Sequence, residues 1–229
     1  LLAGRGSESP LEQVGLETRL GPITGARHNG VMRFLGIRYA RAPVDDLRFM
    51  PPVAFGGWSA PLDATSHGNW CPQTGGLSGL IGDDNRVQDE DCLILNVWTP
   101  SAKGSNRPVL FWIHGGSHYE GSGNDYDGSR LAAQGDVVVV TINYRLGLLG
   151  YAGISALGEA YAGAESNGLR DQILALRWVQ DNIADYGGDA GNVTIFGESA
   201  GGASVFALLA APSAEGLYHR AIAHSGIPV

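Results

Sequence analysis

Val193-Thr194-Ile195-Phe196-Gly197-Glu198-Ser199-Ala200-Gly201-Gly202 is the stretch that decides the fold. Asn192 leads into four strand-favouring residues, and the run passes directly into Gly197-Glu198-Ser199-Ala200-Gly201, a match to G-x-S-x-G. A small-residue helix is predicted over 203–211, stopped by Pro212. Strand, tight turn and helix in that order predict a turn that projects the Ser199 hydroxyl from the end of a sheet. Gly197 and Gly201 remove side chains that would collide where strand and helix cross. The same turn sets the Ala200 N–H and the start of a helix dipole beside any negative charge that develops at a substrate carbonyl. The plainer possibility is a glycine-rich turn whose serine only caps the helix; the flanking strand and helix, with a second motif described below, weigh against it.

Working outward, the flanking segments show what surrounds that strand. Val109-Leu110-Phe111-Trp112-Ile113 and Val137-Val138-Val139-Val140-Thr141-Ile142 are apolar on both faces, as strands covered on both sides must be. Leu93 to Trp98 forms another strand, ended by Pro100, and a short strand begins at Ala221. A helix is predicted over 169–184, with apolar residues at 169, 173, 176, 179 and 183 on one face. Such alternation predicts an α/β fold with a mostly parallel central sheet and helices on both faces. Upstream, strands over 14–20 and 31–39, with turns at Gly21-Pro22 and around Asn29-Gly30, predict an N-terminal antiparallel hairpin. Residues 41–90 are rich in Pro and Gly, and a loop of that length is expected to wall a binding site.

Composition narrows the function classes. With 44% hydrophobic and 17% charged residues the chain can bury a core, which excludes a disordered chain. Fifteen Lys and Arg against 23 Asp and Glu give a net charge of −8 without a basic cluster, so nucleic acid is not expected as a partner. No apolar run approaches the roughly 18 to 20 residues of a membrane span. Leu1-Leu2-Ala3 in place of an initiator Met is compatible with a processed leader. Cys71 and Cys92 allow one pairing or two buried thiols, and their count does not choose between these.

A second chemical motif is Ile113-His114-Gly115-Gly116-Ser117, at the end of a buried strand. A glycine-rich loop there lets backbone N–H groups approach a ligand closely and supply the other half of an oxyanion hole. His114 is expected to hold this loop rather than to transfer protons.

These motifs, with several others in order, resemble the type-B carboxylesterase/cholinesterase family of α/β-hydrolases, with its bacterial p-nitrobenzyl-esterase-like branch nearest. The others are Phe34-Leu35-Gly36-Ile37, Leu47-Arg48-Phe49, Glu90-Asp91-Cys92-Leu93, Asn143-Tyr144-Arg145-Leu146-Gly147, Asn167-Gly168-Leu169-Arg170-Asp171-Gln172 and Trp178-Val179-Gln180-Asp181-Asn182-Ile183. The resemblance implies a serine carboxylesterase in which Ser199 is acylated and the oxyanion accepts from the N–H groups of Gly116, Ser117 and Ala200. It implies that Glu198, Gly115 and His118 face the substrate, that Cys71 and Cys92 form a disulfide, and that neither cofactor nor metal takes part. Arg48 with Glu90, and Arg145 with Asp171, are expected as buried structural ion pairs.

Three departures stand out. Ser117 replaces a third glycine and narrows the acyl pocket. Arg38 stands where a proline is common. The segment 79–86 lacks the tryptophan that holds a quaternary ammonium in choline-selective members, which disfavours choline esters. His118, Tyr119 and Glu120 are expected to form a partly polar entrance.

A hydrolase of this fold takes its triad in the order Ser, then Asp or Glu, then His. After Ser199 the chain holds no Asp, and only Glu215, His219 and His224. The two histidines come too early in the fold to reach the serine. Residues 1–229 are therefore expected to be the N-terminal part of a single catalytic domain, with a second polypeptide supplying the acid and histidine; the alternative is an N-terminal fragment whose missing C-terminal half carries them. The substrate is expected to be a small-molecule ester, and the location secreted or periplasmic, otherwise cytoplasmic. A non-catalytic binding or adhesion relative is the alternative, though such relatives tend to have lost the serine or the elbow glycines. An amide or carbamate hydrolase is another.

Overall fold

The computed structural model describes residues 11–73, 86–104 and 106–227. The expectations for 79–85 and for Leu1-Leu2-Ala3 lie outside the described residues.

β1 (Glu12–Thr18), β2 (Gly21–His28) and β3 (Val31–Arg38) form an antiparallel meander. The sequence predicts a turn at Gly21-Pro22, but both residues belong to β2, and the chain reverses at Arg19-Leu20 instead. Gly21, Pro22 and Gly25 disguise this strand; Ile23 and Ala26, on its two faces, are both buried and hold it in the sheet. Asn29 and Gly30, at φ +50° and +80°, make the tight turn that joins β2 to β3.

The sheet continues through β4 (Leu62–Asp63), β5 (Ile94–Thr99), β6 (Arg107–Ile113), β7 (Val138–Ile142), β8 (Gly188–Glu198) and β9 (Arg220–His224). Its order is β1-β2-β3-β5-β7-β6-β8-β9, with β4 beside β2. β3, β5 and β7 pair antiparallel, whereas β7, β6, β8 and β9 run parallel. The C-terminal ends of β6 and β8 thus lie side by side, with Ile113 opposite Gly197. The two motif loops leave the sheet from that point.

Alternation along the strands sorts the core. Val109, Phe111, Ile113, Val138, Val140 and Ile142 pack on the side of α3 (Asn167–Asn182) and α4 (Ala200–Ala210). Leu110 and Val139 point the other way, toward Ala132 of α1 (Ser129–Gly135). The α3 face is the one predicted, with Ile173, Leu176, Val179 and Ile183 buried, although the last turn from Ile183 to Tyr186 tightens to 3₁₀ geometry. A further short helix, α2 (Gly147–Tyr151), packs on α3.

The scaffold contacts divide in three. Arg145 and Asp171 form a buried ion pair. Arg48 and Glu90 do pair, at 2.6 and 2.7 Å, but the side chains retain 42% and 21% of their accessible surface. The expectation of burial is wrong for this pair, because Arg48 follows the surface 3₁₀ turn Asp45–Leu47. Such an exposed pair contributes little. Arg38 bonds Asp91, which supplies the role that its unusual position lacked.

Cys71 and Cys92 are joined by a disulfide with a sequence separation of 21 residues. Closing a loop of that size stabilises by about 3 kcal/mol in the chain-entropy model. The double variant Cys71→Ala/Cys92→Ala is expected to lose that amount in urea denaturation, and an unchanged midpoint would contradict it.

Candidate active site

Ser199 sits between β8 and α4 at φ 55°, ψ −120°. This left-handed backbone is costly for a residue with a side chain and persists only where its surroundings enforce it. A methyl group on Gly197 would lie 2.5 Å from the Gly201 carbonyl carbon, so strand and helix can cross this closely only without it. The Ser199 N–H donates to the His224 carbonyl at 2.9 Å, tying the turn to the end of β9. The helix begins at Ala200 rather than at residue 203. Two low-propensity glycines concealed its first turn.

Beside it, Gly116, Ser117 and His118 have φ values of +102°, +54° and +61°. The carbonyls of this loop are engaged on its far side. Tyr144 Oη donates to the His114 carbonyl at 2.7 Å, and His114 Nδ1 donates to the Gly115 carbonyl at 2.8 Å. The Gly116 carbonyl accepts from the N–H groups of Tyr119 and Glu120 at 2.9 and 3.0 Å, and the His118 carbonyl from that of Gly147 at 2.7 Å. Among the described residues, no hydrogen bond engages the N–H groups of Gly116, Ser117 or Ala200. Backbone donors held in place and left without partners are suited to a developing alkoxide.

Ser117, His118, Ser199 and Ala200 line one cavity of about 550 Å³. Leu169, Ala203, Ala207 and Ile227 give it an apolar wall, and Ser204 and Ser225 add hydroxyls. Gly115 is buried below, and Gly116 is half-buried in the loop. Glu198 is exposed and does not line this cavity; its carboxylate lies beside Gly115. Its charge also reaches Tyr126, whose phenol is raised by burial and by Asp125 and Glu198. Of the three residues expected at a polar entrance, only His118 lines the cavity. Tyr119 is 67% exposed and Glu120 packs under Gly116. No described residue of 41–90 lines it.

The histidines are held by the scaffold. His118 Nε2 lies 3.1 Å from Ser204 Oγ, which also accepts from Gln172 Nε2 at 3.1 Å. Desolvation lowers the His118 pKa, against a backbone hydrogen bond at Ala200. His219 Nδ1 accepts the Val193 N–H at 3.1 Å, and His224 lies on the exposed strand β9. Neither ring lines the cavity. Ser204, Gln172 and Tyr144 escaped the sequence reading. Tyr144 falls in a quoted motif, but nothing local marks its hydroxyl as a support of the loop.

His114 is fully buried against Tyr144, with ring centroids 4.4 Å apart. Burial pushes its pKa down to about 4, against the pull of the Gly115 hydrogen bond. In the unfolded chain it titrates near 6.5. The unfolded chain therefore binds a proton that the folded state refuses. The associated stability is complete above pH 6.5 and is lost as pH falls toward 4, by roughly 3 kcal/mol. His114→Phe is expected to shrink the drop in unfolding free energy between pH 7 and pH 4.5 by about 2 to 3 kcal/mol. An unchanged drop would contradict the assignment.

The carboxylesterase family matches residues 12–229. The para-nitrobenzyl esterase of Bacillus subtilis is 49% identical over 211 residues, covering 91% of this chain and 43% of its own length. The cocaine esterase of Homo sapiens is 44% identical, covering 98% of this chain and 41% of its own. The solved Geobacillus stearothermophilus carboxylesterase EST55 superposes with a TM-score of 0.84 at 48% identity, over 90% of this chain and 42% of its own. A thermophilic p-nitrobenzyl esterase gives 0.87 at 48% identity, over 93% and 44%. The chain spans less than half the length of these relatives. Among the described residues, no helix is long and apolar enough to cross a membrane.

Proposed function

The chain belongs to the carboxylesterase family, and on that premise we propose that it carries the nucleophile-bearing, N-terminal part of a single α/β-hydrolase domain that hydrolyses carboxylic esters. The Ser199 hydroxyl attacks the ester carbonyl carbon as the triad histidine takes its proton, and the N–H groups of Gly116, Ser117 and Ala200 stabilise the tetrahedral oxyanion. Collapse expels the alkoxide, which takes that proton from the histidine and leaves an acyl-enzyme. Water then attacks the acyl carbon and restores Ser199.

The observation that carries this proposal is the strained Ser199 in one cavity with Ser117 and Ala200, whose N–H groups have no partner among the described residues. The triad acid and histidine come from the remainder of the domain, outside residues 1–229, which packs against β9. Two observations support this. Among the described residues no base bonds the Ser199 hydroxyl, and β9 exposes all five residues at the sheet edge, a liability unless covered. A disulfide between Cys71 and Cys92 fits a secreted or periplasmic protein. Glu198 acts beside the nucleophile through its charge, and His118 and Gly115 shape the acyl side.

The test is steady-state turnover of p-nitrophenyl acetate and butyrate, against the corresponding anilides, by the protein that carries this chain. Turnover of the esters with slow or absent cleavage of the anilides is expected. Folded protein that turns over neither ester would overturn the proposal.

A further inference from the structure

The far end of the loop that presents Gly116 and Ser117 is held by a side chain from a distant part of the sequence. Gln73 Oε1 accepts the Gly121 N–H at 2.9 Å, and Gln73 Nε2 donates to the Gly121 carbonyl at 3.1 Å. One side-chain amide thus pairs both main-chain groups of Gly121, as a neighbouring strand would. Gly121, at φ +105°, has no space for a side chain: a methyl there would lie 2.6 Å from His114 Nδ1 and 2.7 Å from the Gly115 carbonyl oxygen. The last residue of the loop therefore rests on its first two. Whatever fixes Gly121 also fixes the span across which Gly116 and Ser117 are bent.

We propose that Gln73 is a positioning residue for the oxyanion-binding loop, setting the direction of the Gly116 and Ser117 N–H groups through its clamp on Gly121. The inference rests on the esterase function proposed above. Gln73 has a firm base from which to act. Its Nε2 also donates to the Cys71 carbonyl at 3.0 Å, and its own N–H donates to Gln88 Oε1 at 2.9 Å. Cys71 is covalently joined to Cys92, two residues before β5 begins. A primary amide is needed because the clamp requires an acceptor and a donor on one planar group. Glutamate keeps only the acceptor, and methionine keeps the length with neither. Gln73 does not line the cavity, so its effect falls on loop geometry rather than on substrate contact.

Oxyanion stabilisation is realised in the transition state, so a loosened loop should lower kcat and leave KM nearly unchanged. Displacing a catalytic group by about 1 Å costs on the order of a hundredfold. The experiment compares wild type, Gln73→Met and Gln73→Glu in the whole protein that carries this chain. It measures kcat and KM for an ester, and the affinity of a trifluoromethyl ketone that adds to the serine and places its oxyanion in the hole. For Gln73→Met, kcat is expected to fall about ten- to a hundredfold with KM within about threefold, and ketone affinity to weaken by the same factor. Gln73→Glu, whose second carboxylate oxygen would face the Gly121 and Cys71 carbonyls in place of a donor, should lose a comparable factor.

If kcat and ketone affinity both stay within about twofold of wild type while only the melting temperature falls, Gln73 is scaffold and the proposal is overturned. Should Gln73→Met not fold, Gln73→Glu carries the comparison, and the same absence of effect overturns it. Wild-type protein that neither hydrolyses the ester nor binds the ketone would show that the esterase function itself has failed, and this inference with it.

Discussion

Ser199→Ala lowers kcat for ester hydrolysis by a factor on the order of 10⁴ to 10⁶. This is the largest effect expected of any single substitution here, because no acyl-enzyme can form without the hydroxyl. What remains is the oxyanion donors acting on direct attack by water, a modest residual rate. The fold should survive. Among the described residues no hydrogen bond from the Ser199 side chain supports the turn, and alanine meets the same backbone strain at φ 55°. The unfolding free energy should therefore stay within about 0.5 kcal/mol of wild type. Steady-state kinetics on protein whose thermal transition matches wild type is the check. A variant that keeps more than roughly a hundredth of the activity would place the nucleophile elsewhere.

Asp171→Asn produces the largest expected loss of stability. The Asp171 carboxylate accepts from the Arg145 N–H, Nε and Nη2 at 3.0, 2.8 and 2.7 Å. Arg145 retains 2% of its side-chain surface and Asp171 none. Arg145 Nη1 also donates to the Met50 carbonyl at 2.8 Å, so one guanidinium joins the chain after β7, the start of α3 and the loop before β4. Neutralising the carboxylate leaves that guanidinium buried without its counter-charge. The cost is about 3 to 5 kcal/mol, which lowers the melting temperature by on the order of 10 °C. Replacing both members, as Arg145→Met/Asp171→Leu, should cost less than the single change, because no stranded charge remains. Urea denaturation of the two variants checks the order. A loss below about 1 kcal/mol for Asp171→Asn would show that the buried charge finds another partner.

How legible each part was depends on whether its cause is local. The nucleophile turn was legible because close crossing of β8 and α4 demands Gly197 and Gly201 on either side of Ser199, and that demand is written within five residues. Strands β6 and β7 were legible because burial on both faces leaves continuous apolar runs. β2 was hidden because Gly21, Pro22 and Gly25 are turn residues by preference, and only pairing with β1 and β3 overrides them. The start of α4 was hidden for the same reason at Gly201 and Gly202.

Long-range contacts left still less trace. Arg38 looked out of place until Asp91, 53 residues away, came to meet it. Nothing near Gln73 announces a bond to Gly121, 48 residues on. Glu198 follows a different logic. Its place beside Ser199 suggested a wall of the same cavity, yet its side chain is exposed and does not line it.

The most direct measurement is the mass of each polypeptide in the active protein after treatment with a fluorophosphonate, followed by peptide mapping. One adduct per active site, on the chain that contains residues 1–229 and located at Ser199, is the predicted result, with no adduct in Ser199→Ala. An adduct on another residue, or ester hydrolysis that continues with Ser199 unmodified, would contradict the account.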